Sequence, residues 1–576
     1  MCGRSVAVGA ALLVAGVAAQ LGGPLVTTRQ GALLGRDEFV AGRRVFSWRG
    51  IKYAEVAARF QYASLYTDAW SGTKPALEHG LPCPQPFLAT GEYSEDCLHV
   101  SVWSPALPGP GPAPRLLPVV VLLTGTLWSL DPGPANLAPH NLVSERNLVV
   151  VTVSSRLNVF GFLSLENVVV PGNMGLLDQY FSLIWVQNNI RYFGGDPGRV
   201  TLAGTGSGAA AALYLALSPR SSGLLQRVVA VGGTPLAAWA SSSRALENAR
   251  RIVDRVNCYG PNSRAVLRCL QAKNAREIVS AVESHLASGN ISNIFAPVAD
   301  SFLNTNDQFI GDSLERLRRG DVDRRITYMI GENSADGSEM MNYLRRNFDR
   351  LETRDVMYFV ENTLVPVSLQ RYGSLVASPF IQQLISFQYF PAPAPGLPEV
   401  RQPLLESVQT FLTDSYYAAP LRETLDLLAR AGAAVYNFAN THAVRPQLQA
   451  VVTRPQPGAA AVTALLLGAR QFELETGTAL GSRDREAAVK VQDALVPFIE
   501  RGEPQADLRW PRYTLQNKHY LEVNSLRIYT EYKVDKYKYK NIRSIVFLYR
   551  LNLNVFRRRT RHSGWSCCRG WPPSVS

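Results

Sequence analysis

The ten residues Val200-Thr201-Leu202-Ala203-Gly204-Thr205-Gly206-Ser207-Gly208-Ala209 run from an apolar strand pattern through a glycine-rich bend into an alanine-rich helix. A turn of this design performs acyl transfer when its apex is serine. In G-x-S-x-G the middle residue is held in a strained, exposed conformation that presents its hydroxyl above a sheet. Here the apex is Gly206, which has no attacking atom. Ser207 follows, but one step along the turn its side chain takes another direction, and that position ordinarily lends its backbone N–H to an oxyanion hole. Ser207 as a displaced nucleophile is the alternative reading. The same glycines also fit G-x-G-x-x-A, which holds a dinucleotide only with an acidic residue at the end of the next strand. That strand ends Val231-Gly232-Gly233-Thr234, without one.

The elements that must position this turn are legible in the apolar runs Val119–Leu123, Leu148–Val153, Val200–Ala203, Val228–Val231, Ile326–Ile330 and Val435–Phe438. Near-continuous β-branched runs separated by helical stretches predict an α/β fold, with strands of a mostly parallel central sheet buried on both faces beneath helices. Leu176–Ile190 and Gly208–Leu217 read as helices. The proline-rich stretches Pro105–Pro118 and Pro391–Pro398 read as surface loops.

The chain has 576 residues, 46% hydrophobic and 18% charged, a globular composition with no internal linker or repeat. Residues 1–19, with Arg4 ahead of the apolar run Val6–Val17 and Ala18-Ala19, read as a secretory signal peptide, with a membrane anchor as the alternative. Residues 20–526 are expected to form one domain. Of the formal charge of +13, residues 527–576 carry 12 Lys or Arg against Glu531 and Asp535, a net of +10, so the body is nearly balanced and nucleic acid is not an expected partner. This segment reads as a basic, disordered tail: either a patch for anionic matrix or membrane surfaces, or an artefact of where the coding region was drawn.

Secretion makes the cysteines interpretable. Cys83, Cys97, Cys258 and Cys269 allow three pairings. Closing two short local loops, Cys83 with Cys97 and Cys258 with Cys269, is the simplest. Metal ligation is not expected, since no histidine or C-x-x-C spacing accompanies them. No cofactor is expected, and no later apolar run is long enough to span a membrane. Asn290-Ile291-Ser292 is an N-glycosylation acceptor.

Several blocks in order resemble the type-B carboxylesterase and cholinesterase family: Trp48–Ala54 with Arg59-Phe60, Tyr93–Val100, Phe160–Leu163, Gly172–Gln179, Phe193–Pro197 into the elbow, and Gly502–Pro504 with Trp510–Tyr513. The resemblance covers roughly residues 22–523 and implies an α/β-hydrolase fold. It places the oxyanion loop at Thr124–Trp128, where Thr126 stands beside Gly125 in a loop that is glycine-rich in active relatives. It places the triad acid at Asp336, which without a histidine reads more simply as a solvated or hydrogen-bonded loop carboxylate. The family's histidine has no counterpart, because none occurs between His442 and His519. His442 is the available substitute, and its place just after the late strand and before Pro446 reads more simply as that of a loop histidine.

A hydrolase body without nucleophile or base is expected to bind rather than cleave. By resemblance to neuroligin-like and glutactin-like relatives, the expectation is a secreted, extracellular, catalytically inactive protein of cell adhesion or matrix binding, its partner an extracellular or cell-surface protein. The alternative is an active carboxylic-ester hydrolase using Ser207. The family's dimer bundle makes Arg485–Arg501 a candidate homodimer helix through Ala488, Val491, Leu495, Val496 and Ile499, with an internal core helix as the equal alternative.

Overall fold

The computed structural model describes residues 23–530, except 41, 87, 89–91, 108–114, 132–138, 288–291, 293, 371–378, 391–400, 442–481, 505 and 524. An 11-stranded sheet organises the chain. Its strands are β1 (Arg36–Val40), β2 (Arg43–Lys52), β3 (His99–Ser104), β4 (Leu117–Leu123), β5 (Val149–Val153), β6 (Gly195–Thr205), β7 (Arg227–Val231), β8 (Thr327–Asn333), β9 (Ala434–Asn440), β10 (His519–Glu522) and β11 (Arg527–Thr530). Their order is β11-β10-β9-β8-β7-β6-β4-β5-β3-β2-β1. From β10 to β5 every neighbouring pair is parallel, and antiparallel strands close both edges.

The valine runs are buried on both sides because alternate residues enter different cores. Val119, Val121 and Leu123 of β4 join one buried cluster, whereas Val120 and Leu122 join the other. β7 divides in the same way, Val228 and Ala230 against Val229 and Val231. On the first face lie α1 (Met174–Asn189) and α2 (Ser207–Leu217). Farther along come α3 (Ser313–Arg319), α4 (Gly337–Phe348) and α5 (Ala419–Arg430). The second face is covered by α6 (Ser482–Arg501), whose Ala488, Val491, Leu495, Val496 and Ile499 are buried among sheet residues of the same chain. The apolar face read as a candidate dimer surface is therefore occupied inside the chain.

The expected boundary at 526 falls within a β-hairpin. Arg527–Thr530 pairs antiparallel with His519–Glu522, with Tyr520 and Tyr529 stacked at 5.4 Å. The body thus extends through Thr530, because the backbone of β10 offers a free edge that this short strand satisfies. Residues 1–19, Asn290, His442, Pro391–Pro398 and 531–576 lie outside the described residues.

Both local disulfides are present, Cys83–Cys97 and Cys258–Cys269. The Gly172–Gln179 block has a structural role: the Arg156 guanidinium donates to Asp178 Oδ1 at 2.6 Å and Oδ2 at 2.7 Å, and its Nη1 donates to the Gln61 carbonyl at 2.6 Å. Both side chains are buried, so the pair is a paired buried charge tying α1 to the loop after β5.

Candidate functional site

The site forms where β4, β6, β7 and β8 end together, the usual location for ligand chemistry in a parallel sheet. At Gly206 the backbone turns with φ 56° and ψ −123°, the left-handed region that favours glycine. Flanking glycines permit the tight packing: a β-carbon on Gly204 would stand 2.2 Å from the Gly208 carbonyl oxygen, and one on Gly208 would stand 2.1 Å from that of Leu123. The chain thus retains the geometry of a strand–turn–helix elbow with glycine at its apex.

A side chain on Gly206 would enter occupied space. Its β-carbon would lie 2.7 Å from the Gly125 carbonyl oxygen and 3.1 and 3.3 Å from the two carboxyl oxygens of Glu339. Glu339, on the first turn of α4, is fully buried. Tyr417, buried in the helical stretch just before α5, donates its hydroxyl to Glu339 Oε2 at 3.2 Å, while Oε1 is buried without a partner in hydrogen-bond geometry among the described residues. Burial is the main cause of a rise in its pKa to about 8, reinforced by Asp336 and opposed by Tyr417, Thr126 and the Leu127 amide. Glu339 therefore carries a proton near neutrality.

The oxyanion position is closed as well. The Ser207 N–H, which in an open elbow faces substrate, donates to the Gly125 carbonyl at 3.1 Å. The Ser207 hydroxyl is buried against the same residue, 2.7 Å from where a Gly125 β-carbon would be. The loop is held in this position by the Thr126–Leu130 bridge and by Leu127 and Trp128, both buried with positive φ of 50° and 60°. Non-glycine residues adopt such angles only when the surroundings enforce them. For Trp128 the surroundings include Phe162 and Tyr214, with ring centroids 5.2 and 6.4 Å away.

Asp336 lies in the same cluster. It accepts from the Asn333 amide at 2.9 Å and the Asn333 side chain at 2.8 Å, and its Oδ1 is 2.8 Å from where a Gly232 β-carbon would stand. Burial raises its pKa to about 7, against the two Asn333 hydrogen bonds. Gly125, Thr126, Gly206, Ser207 and Asp336, singled out from the sequence, are thus brought together. Among the described residues no histidine hydrogen-bonds Ser207, Asp336 or Glu339. No group of three or more His, Cys, Asp or Glu is placed to hold a metal among those residues. A cavity of about 300 Å³ opens elsewhere, between Lys52, Phe60, Arg59, Glu95, Arg156 and Phe160, and no elbow residue lines it.

Sequence reasoning missed Glu339 and Tyr417. The buried stripe of α4 is Met340, Met341, Leu344 and Phe348, so helical periodicity places Glu339 beside the apolar face. Its proximity to Asp336, three residues earlier, was the available signal.

The sheet order and the elbow at its strand ends define an α/β-hydrolase body. Residues 22–540 match the Carboxylesterase family, and the chain belongs to that family. It is 36% identical to a carboxylic ester hydrolase of Bombus ignitus over 44% of this chain and 46% of that protein. It is 33% identical to venom carboxylesterase-6 of Apis mellifera over 54% and 57%, and 29% identical to neuroligin-3 of Mus musculus over 65% and 48%. The chain spans about half the length of these curated relatives. No helix among the described residues is long and apolar enough to cross a membrane.

Proposed function

We propose that this is a secreted, catalytically inactive member of the carboxylesterase family that acts in cell adhesion or extracellular-matrix binding. One observation carries the reading: the seat of the missing nucleophile at Gly206 is filled by the Glu339 carboxyl and the Gly125 carbonyl. Acyl transfer needs a nucleophile, a base and free oxyanion donors together. The first has no side chain, and the Ser207 N–H is already bonded. The disulfides suit an oxidising compartment, and the similarity to neuroligin-3 favours a surface-binding role. The partner is an extracellular or cell-surface protein.

The esterase relatives favour a second reading, in which Ser207 acts as nucleophile. Turnover of a short acyl ester by the purified chain, compared with Ser207→Ala, separates the two. Inactivity in both chains, with attachment of adherent cells to the immobilised protein, supports adhesion. Turnover lost in Ser207→Ala supports the hydrolase.

A further inference from the structure

Helix α3 ends in the tripeptide Arg319-Gly320-Asp321, displayed on the surface by a well-defined turn. Gly320 takes φ 80° and ψ 20°, its N–H donates to the Leu317 carbonyl at 3.1 Å, and the Asp321 N–H donates to that of Arg316 at 2.9 Å. These two bonds form a Schellman closure, which fixes the backbone and requires the left-handed glycine. On either side, Leu317 is buried and Val322 packs against the core, so the turn is anchored to the body. The charged side chains are not: Arg319 is 63% exposed and Asp321 62%.

The geometry points to this turn as a recognition site for a cell-surface receptor that takes the Arg319 guanidinium in an acidic slot and completes the coordination of a receptor-held divalent cation with the Asp321 carboxylate. A guanidinium and a carboxylate separated by one glycine offer two opposite, strongly solvated charges from one rigid point. A carboxylate is the ligand that hard divalent cations prefer. The hydrogen bond from Arg316 at 2.7 Å holds the Asp321 carboxyl below its ordinary pKa, so it is ionised and able to ligate.

In the free chain Arg319 pairs with Asp312 and Asp321 with Arg316. Arg319, Asp312 and Asp321 are exposed and Arg316 is partly covered; ion pairs that face solvent in this way stabilise little, so a receptor can exchange them. Gly320 preorganises the turn, which limits the ordering penalty on binding. The inference rests on the adhesion reading and supplies its partner chemistry.

The test plates adherent cells on immobilised full-length protein in magnesium and manganese. The comparisons are chelation by EDTA, a soluble Gly-Arg-Gly-Asp-Ser peptide with Gly-Arg-Gly-Glu-Ser as control, and the variants Asp321→Glu and Arg319→Lys. Each variant keeps its charge, and circular dichroism verifies its fold. The expected result is attachment that EDTA and the aspartate peptide abolish, the glutamate peptide spares, and Asp321→Glu reduces by about tenfold or more, corresponding to about 1.4 kcal/mol. Attachment unchanged by Asp321→Glu and by the peptide overturns this site while leaving adhesion standing. Attachment that yields to salt but not to EDTA assigns it to the basic C-terminal segment and also overturns the site. Failure of cells to attach to any form removes the adhesion reading and this inference together.

Discussion

Glu339 holds its two carboxyl oxygens 3.1 and 3.3 Å from the point where a β-carbon on Gly206 would stand. The glycine apex of the elbow is thus packed against a carboxyl group from α4. Serine restored at 206 meets that carboxyl, and also the Gly125 carbonyl at 2.7 Å. Gly206→Ser is expected to lower stability by about 1–3 kcal/mol, the usual range for overpacking. Glu339→Ala in the same chain should return part of the loss, because contacting residues are not additive. A double-mutant cycle in urea measures this, and additive effects would deny that Glu339 fills the seat.

The two buried carboxyls make stability fall as pH rises. Asp336 and Glu339 have ordinary values of 3.8 and 4.5, raised by burial to about 7 and about 8 in the folded chain. Their neutral forms favour the folded state, so this contribution is fully present below the ordinary values and is lost as pH rises through the folded ones. His79 and His99 have lowered values and change stability in the opposite direction, but only at and below the ordinary 6.5. The buried tyrosines Tyr53, Tyr214 and Tyr417 have raised values and act in the same direction as the carboxyls, but only toward their ordinary 10, so unfolding midpoints at about pH 7 and about pH 8.5 report mainly on the carboxyls. The midpoint is expected to be lower at the higher pH, with a smaller difference in Glu339→Gln. An equal difference in wild type and variant would contradict the assignment.

Asp178 is a framework residue. Replacing it with alanine leaves the buried Arg156 guanidinium without its carboxylate, which is expected to cost about 3–5 kcal/mol. Equilibrium denaturation measures the loss. A variant of unchanged stability would show that Arg156 finds another partner.

The Cys83–Cys97 bridge spans a separation of 14 residues. In the chain-entropy account, closing a loop of about 15 residues stabilises by about 3 kcal/mol. Cys83→Ser with Cys97→Ser should lose stability of that order in denaturant, and an unchanged midpoint would argue against the bridge in solution.

The central fold was legible because Val119–Leu123, Leu148–Val153 and Val228–Val231 are short, near-continuous apolar runs rich in valine, the pattern of a strand buried on both faces. The edge strand Arg527–Thr530 was not, because R-I-Y-T is short and polar and its pairing with β10 is set by the partner. Gly206, Ser207, Gly125 and Asp336 were found by motif order. Glu339 and Tyr417 were hidden, since they meet the elbow only through tertiary packing of α4 and the stretch before α5. The collapse of the Gly125 carbonyl onto the Ser207 amide is equally tertiary: the sequence indicated side chains in the loop, and the burial of Leu127 and Trp128 indicates where the loop goes.

The central claim is that the elbow holds no group able to attack an acyl carbon. Intact-mass measurement of the native full-length chain after exposure to a fluorophosphonate probe tests it most directly. The account predicts an unchanged mass. A single probe adduct mapped to Ser207 and absent from Ser207→Ala would contradict it.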